Sequence, residues 1–256
     1  YVDDYLSLDS GQRSALEIRL GRQLDWHCRT QLPEYAAFLR SVRKEFEPPN
    51  QTVTREQLAL HLETLKQYWK GLMAQIGPDI ADILITASDE QIDELFRNIE
   101  EDNLERQRTF VDPPERDILQ NRTDRMVDRL ERWVGDLTDA QYAAVQQWSR
   151  NIGATTDQWI ANRRRVQQTF RKLIATRKVD PAFKEKFTAL LVSPAEVRTK
   201  AYQARLDRNS ALMLDLLTDI EQTLTGAQRS HLLAYLESLA EDFNVLACEI
   251  PQKTAP

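Results

Sequence analysis

The feature that most constrains this chain is a helix-start signal that recurs along it. It reads Asp9-Ser10-Gly11-Gln12, Thr54-Arg55-Glu56-Gln57, Ser88-Asp89-Glu90-Gln91, Thr138-Asp139-Ala140-Gln141 and Thr225-Gly226-Ala227-Gln228, each followed by an amphipathic run. In this arrangement the short polar side chain accepts a hydrogen bond from the amide three residues on, and the glutamine reaches back to the N–H of the cap residue. Each occurrence satisfies two donors that a helix start otherwise leaves open. A chain so punctuated is committed to helices.

Proline chemistry marks further starts, at Asp112-Pro113-Pro114-Glu115 and Ser193-Pro194-Ala195-Glu196, with Asp180-Pro181 a weaker case. Proline in the first turn costs no hydrogen bond, and a glutamate follows at the third position. Gly77-Pro78, Pro33 and Pro48-Pro49-Asn50 are candidate stops or bends.

The starts have a rhythm. Thr54 and Ser88 lie 45 and 79 residues beyond Asp9, while Asp180 and Thr225 lie 42 and 87 beyond Thr138. This predicts an N-terminal helical half over 1–111, a connecting helix over 112–136 and a C-terminal half over 137–256, related by tandem duplication. Capped helices of similar length would produce a similar spacing without duplication.

Helical periodicity fills the intervals. Leu16, Leu20, Leu24, His27 and Cys28 share one face, and Tyr35, Phe38, Leu39, Val42 and Phe46 continue after Pro33. Val145, Trp148, Ile152, Trp159, Val166, Phe170 and Leu173 form a second series, and Met213, Leu216, Leu217, Ile220 and Leu224 a third. The opposite faces are charged, so these helices need partners. The expected fold class is all-α, with long antiparallel amphipathic helices in two similar bundle-like halves.

Charge and composition set function classes aside. The formal net charge of -6 argues against a phosphate-backbone binder, so no nucleic-acid partner is expected. No run approaches the roughly 18 apolar residues of a membrane span. The chain opens on Tyr1 instead of Met, which predicts a targeting or trimmed segment upstream. The two cysteines, Cys28 and Cys248, are 220 residues apart. In an oxidising compartment they could close a disulfide that restrains the unfolded chain by roughly 4 to 5 kcal/mol. The alternative is two unrelated buried thiols.

Residues suited to catalysis are sparse. His27, His61 and His231 match no H-E-x-x-H or H-x-x-E-H spacing, and a zinc site would require them to converge with cysteine from distant segments. They read instead as surface or core-edge histidines. His27 and Cys28 are helical neighbours pointing about 100° apart, a poor geometry for sharing a proton. Gly11, Gly21, Gly71, Gly77, Gly135, Gly153 and Gly226 are scattered singly, which excludes a glycine-rich phosphate loop. Glu100-Glu101-Asp102 reads as a solvated face. No catalytic residue, metal site or cofactor is expected.

Two features point to surfaces. Arg163, Arg164, Arg165, Arg171, Lys172, Arg177 and Lys178 run without an intervening acid, interleaved with Val166, Phe170, Leu173 and Ile174. Such a face could touch anionic headgroups or an acidic partner, or could pair with acidic neighbouring helices. The five tryptophans, Trp26, Trp69, Trp133, Trp148 and Trp159, are expected mostly as core anchors, any one exposed on a concave face marking a binding surface.

The opening residues also carry a resemblance. Tyr1-Val2-Asp3-Asp4-Tyr5-Leu6-Ser7-Leu8-Asp9-Ser10-Gly11-Gln12 is followed by a W-H-x-R-x-x-L-P-x-Y-A pattern filled by Trp26, His27, Arg29, Leu32, Pro33, Tyr35 and Ala36. This resembles an uncharacterised family of proteobacterial lipoproteins along most of their mature length. Leu137-Thr138-Asp139-Ala140-Gln141 and Leu224-Thr225-Gly226-Ala227-Gln228 are similar to the LTxxQ motif of the Spy- and CpxP-like periplasmic proteins, small helical chaperones or stress regulators. The resemblance implies a periplasmic protein tethered to a bacterial membrane through an upstream lipid anchor.

The functional expectation is a non-catalytic envelope lipoprotein that binds polypeptides or envelope components through helical faces, with chaperone-like activity as one form. A scaffolding lipoprotein with one fixed partner is the alternative, and an enzyme using scattered carboxylates a third.

Overall fold

The computed structural model describes residues 5–48, 52–152 and 156–248. Residues 1–4 of the opening stretch, Pro49 and Asn50 of the expected bend, and Gly153 lie outside the described residues. The elements are α1 (Ser10–Trp26), α2 (Leu32–Phe46), α3 (Arg55–Thr86), α4 (Asp89–Phe110), α5 (Glu115–Val134), α6 (Asp139–Ile152), α7 (Thr156–Ile174), α8 (Phe183–Val192), α9 (Lys200–Gln222) and α10 (Gly226–Leu246). A π-helical turn, His27–Gln31, joins α1 to α2, and a 3₁₀ turn, Pro194–Val197, precedes α9. No strand occurs among the described residues. The protein is all-α.

The chain divides into two compact units. Unit 1 comprises Tyr1–Arg19, Glu63–Arg122 and Ser149–Leu212; unit 2 comprises Leu20–Leu62, Thr123–Trp148 and Met213–Pro256. The expected halves run consecutively, whereas each unit draws on three separated segments. Helices α1, α3, α5, α6 and α9 contribute residues to both.

In unit 1 the core gathers Ala81 and Leu84 of α3, Ala87, Ile92 and Phe96 at and after the next cap, Ile174 of α7, and Phe183 and Phe187 of α8. Phe187 meets Phe170 edge-on at 5.4 Å. α3 passes through Gly77-Pro78 without the expected stop. Gly77 faces Thr188 of α8 so closely that an added Cβ would lie 2.9 Å from Thr188 Cγ2. α3 stays helical through Pro78, whose missing N–H leaves one helical hydrogen bond unmade.

In unit 2, α2 and α10 run antiparallel. Cys28 meets Cys248, Arg40 pairs with Glu237 at 3.0 Å, and Arg229 donates to the Phe46 carbonyl at 3.0 Å. Phe46, Val53, Leu232 and Leu236 form the buried core, with Leu39, Val42 and Leu58 against it. α5 ends on Gly135, whose φ of 77° is a left-handed conformation that glycine adopts without a side-chain penalty.

The proline starts differ from expectation. α5 begins at Glu115, and Pro114 contributes the carbonyl that accepts from Ile118 N–H, so it caps the helix instead of lying inside it. Ser193-Pro194 opens only the 3₁₀ turn. α9 is started by Thr199, whose hydroxyl accepts from Tyr202 N–H at 3.1 Å. Thr199 lacks the glutamine partner, which is why the motif does not reveal it.

Candidate functional site

Each of the five caps forms both of its bonds. The cap N–H donates to the glutamine Oε1 at Asp9–Gln12, Thr54–Gln57, Ser88–Gln91, Thr138–Gln141 and Thr225–Gln228, and the glutamine N–H donates back to the cap side chain. Four of the glutamines do more. In unit 1, Gln12 Nε2 donates to Gln91 Oε1 at 3.1 Å and Gln91 Nε2 donates to Gln12 Oε1 at 2.8 Å. The remaining amide hydrogens reach Thr86 O and Ser7 O, each two residues before the opposite cap.

Unit 2 repeats the pattern. Gln141 and Gln228 donate to each other at 3.0 and 2.7 Å, and their second hydrogens reach Thr223 O and Asp136 O, again two residues before the opposite cap. Each amide thus uses both donors and both acceptor positions. The two clasps are the feature the units share. Gln57, which has no such partner, donates to Glu45 instead.

The W-H-x-R-x-x-L-P pattern occupies the π-helical turn. Leu32 N–H donates to the His27 carbonyl five residues back. Continued one residue, that pattern would bring the Cys28 carbonyl to residue 33, which is proline and has no N–H. The Cys28 carbonyl instead accepts from Cys248 N–H at 3.2 Å. The two cysteines are also joined as a disulfide, with Cα atoms 5.1 Å apart. Arg29 pairs with Asp25 at 2.7 Å, and Tyr35 stands between His27 and Phe243 with edge-on ring contacts at 5.7 and 5.8 Å. Pro33 therefore shapes a carbonyl for the far end of the chain.

The basic segment turns toward α4 in unit 1. Arg163 pairs with Asp102 at 2.5 Å, Arg164 with Glu100 at 2.7 Å and Arg171 with Asp93 at 3.1 Å, while Arg177 and Lys178 share Asp89. The pairs descend α4 as they ascend α7 and the turn that follows it, as antiparallel packing requires. At the centre, fully buried Asn103 receives Arg163 Nε at 2.6 Å and exchanges bonds with Gln167 at 2.7 and 3.2 Å. The hydrogen bond from Arg164 holds the Glu100 carboxyl below its ordinary range, and that from Arg177 does the same for Asp89. Of the Glu100-Glu101-Asp102 run, the first and last members are thus ion-paired within the fold.

The histidines stand in separate settings. His61 faces Glu45 at 3.1 Å with Phe38 edge-on to its ring, and His231 lies 3.3 Å from the Arg132 carbonyl. Among the described residues, one group brings three possible metal-ligand side chains within 4.8 Å, namely Asp25, Cys28 and Cys248. It contains no histidine.

The expected face of Leu16, Leu20, Leu24, His27 and Cys28 is covered only in part: Cys28 is buried and Leu16 and His27 half-buried, but Leu20 and Leu24 are exposed. α1 buries no side chain, and Ile18, Leu20 and Leu24 are 69%, 52% and 59% exposed. On α3, Leu60, Leu65 and Trp69 are exposed as well. Of the five tryptophans only Trp148 is buried, so the expectation of core anchors is corrected. A periodic stripe specifies a face that prefers a neighbour; Arg19 of α1 reaches Asp79 and Asp82 of α3, while Leu20 and Leu24 stay exposed.

Some buried polar residues escaped the sequence reading. Glu221, 3% exposed, accepts from Val53 N–H at 3.0 Å and pairs with Arg229, tying the segment after α2 to α9 and α10. Neither residue belongs to a motif. The only signal is a carboxylate between the apolar positions Ile220 and Leu224.

No curated protein and no solved structure matches the chain. A family profile matches residues 4–203, most of its length. The chain belongs to a family of unknown function, DUF6279.

Proposed function

We propose that the protein is a non-catalytic envelope protein that binds polypeptides through exposed apolar helix faces, in a chaperone-like manner. One observation carries this reading: α1 is a helix of 17 residues with no buried side chain and with Ile18, Leu20 and Leu24 open to solvent. Exposed leucines at helical spacing leave apolar area that a bound apolar segment would remove from water, at roughly 25 cal/mol per Å². Exposed Trp69 and Leu65 on α3 extend the same chemistry.

Compartment is part of the proposal. A disulfide between Cys28 and Cys248 fits an oxidising space. The LTxxQ-like caps and the opening residues resemble periplasmic proteins and lipoproteins, which favours a periplasmic location and an upstream lipid anchor. The basic segment is not assigned to headgroups, because five of its residues are paired with α4.

The test is suppression of aggregation of a reduced, unfolding client by the purified full chain. Suppression near stoichiometry, weakened in Leu20→Glu/Leu24→Glu, is the expected result. No suppression at excess discards the chaperone form. One stoichiometric envelope partner recovered by crosslinking, without client protection, assigns the scaffolding role instead.

A further inference from the structure

The outer side of α8 carries a groove whose chemistry narrows the range of polypeptides proposed above. We infer that the groove between α8 and Pro78 of α3, within unit 1, takes a cationic amphipathic segment of a client: an apolar side chain flanked by lysine or arginine. The inference rests on the polypeptide-binding reading and names the chemistry of what is bound.

α8 has two unlike sides. Phe183 and Phe187, one turn apart, are buried in the unit 1 core at 1% and 4% exposure. On the other side Ala182, Glu185, Ala189 and Val192 follow at three- and four-residue spacing and line an open groove together with Pro78 and Pro181. Their small apolar side chains leave a volume of about 650 Å³. That lies within the roughly 300 to 1,000 Å³ of ordinary ligand sites. Thr188 lines the same groove and is packed against Gly77, so α3 and α8 are already in contact and the groove is a fixed product of their packing. An aliphatic side chain entering it leaves water for an apolar floor.

The rim is negative. Glu185 and Glu196 line the groove, are exposed, and have no ion-pair partner among the described residues. Lys184, which also lines it, is held by Asp82 at 2.6 Å, and neighbouring Lys186 by Asp180 at 2.6 Å. The unpaired charge at the groove is therefore carboxylate, and a partner complementary to it carries cations beside its apolar side chain. The formal net charge of -6 attracts the same partner at a distance. This chain's own basic amphipathic run cannot fill the groove of a second copy, because five of its residues are paired with α4. The occupant is a different polypeptide.

The experiment titrates the full, disulfide-intact chain into a fluorescein-labelled peptide of leucine and lysine at low salt, reading anisotropy. The comparison is the same peptide with glutamate in place of lysine. Saturable binding of the lysine peptide alone, weakening as salt is raised, is expected. Glu185→Lys/Glu196→Lys should weaken it at least about tenfold, because like charges then face each other. Ala189→Phe, at an exposed position, should weaken it comparably by filling the groove. Glu241→Lys/Asp242→Lys on exposed α10 positions makes the same change in net charge and should leave affinity within about twofold. The charge variant and the filling variant probe the groove separately, so misfolding of one, seen by circular dichroism, leaves the other to decide.

Equal binding of the glutamate peptide, unchanged affinity in the groove variants, or an equal loss in the α10 variant overturns the inference. So does self-association in sedimentation that Ala189→Phe abolishes, which would make the occupant a second copy. Aggregation suppression that fails in Leu20→Glu/Leu24→Glu but survives in the groove variants, without peptide binding, overturns this inference alone. Loss of both suppression and peptide binding in the unaltered chain removes the polypeptide-binding reading with it.

Discussion

Gln141 and Gln228, 87 residues apart, donate an amide hydrogen to each other's side-chain oxygen while each caps its own helix. Both are buried, at 1% and 5% exposure. Because every donor and acceptor is used, removing one glutamine strands groups on the other and on two backbones. Gln141→Ala should destabilise by about 2 to 4 kcal/mol. Gln12→Ala, in the half-buried counterpart, should cost about 1 kcal/mol. Urea unfolding of the two variants checks the order, and equal effects would contradict burial as the cause.

The disulfide closes nearly the whole chain, with a separation of 220 residues. Reduction should lower unfolding free energy by up to about 4 to 5 kcal/mol. Pro33→Ala should also destabilise, since the new N–H competes for the Cys28 carbonyl that Cys248 now uses. Thermal melts with and without reductant measure the first effect. Retarded amide exchange at Cys248, lost in Pro33→Ala, measures the second.

Acid should loosen the α4–α7 pairing. Asp89 and Glu100 are held below their ordinary values of 3.8 and 4.5, chiefly by hydrogen bonds from Arg177 and Arg164. A carboxyl that is more acidic folded than unfolded stabilises the fold above its unfolded value, and that contribution disappears as pH falls through the folded value. The melting temperature should therefore be insensitive to these groups above about pH 5 and fall below about pH 4. Glu100→Gln should flatten the acid limb. An identical acid profile in the variant would remove the pair from the explanation.

Gly77→Ala should destabilise even though alanine is the better helix former by about 1 kcal/mol. The new methyl would lie 2.9 Å from Thr188 Cγ2 and 3.0 Å from its Oγ1. A net loss of about 1 to 3 kcal/mol is expected from overpacking. Thr188→Ala removes both of those atoms and should recover most of it. A double-mutant cycle reads the coupling, and additive effects would show that the contact is not the cause.

The sequence by itself determined the helical class, the positions of the five capped starts and the amphipathic character of each run. Those follow from bonds between residues three or four apart, and such bonds form wherever the local side chains allow. Only the tertiary structure decided that Gln12 meets Gln91, that Gln141 meets Gln228, that Pro33 releases a carbonyl to Cys248, and that the basic face meets α4. Each of these depends on which distant segments become neighbours, and the two units, each assembled from three separated segments, set that. The stripe on α1 shows the converse: its periodicity is plain in the sequence, but a pattern of leucines states a preference for burial and does not provide the surface that would satisfy it.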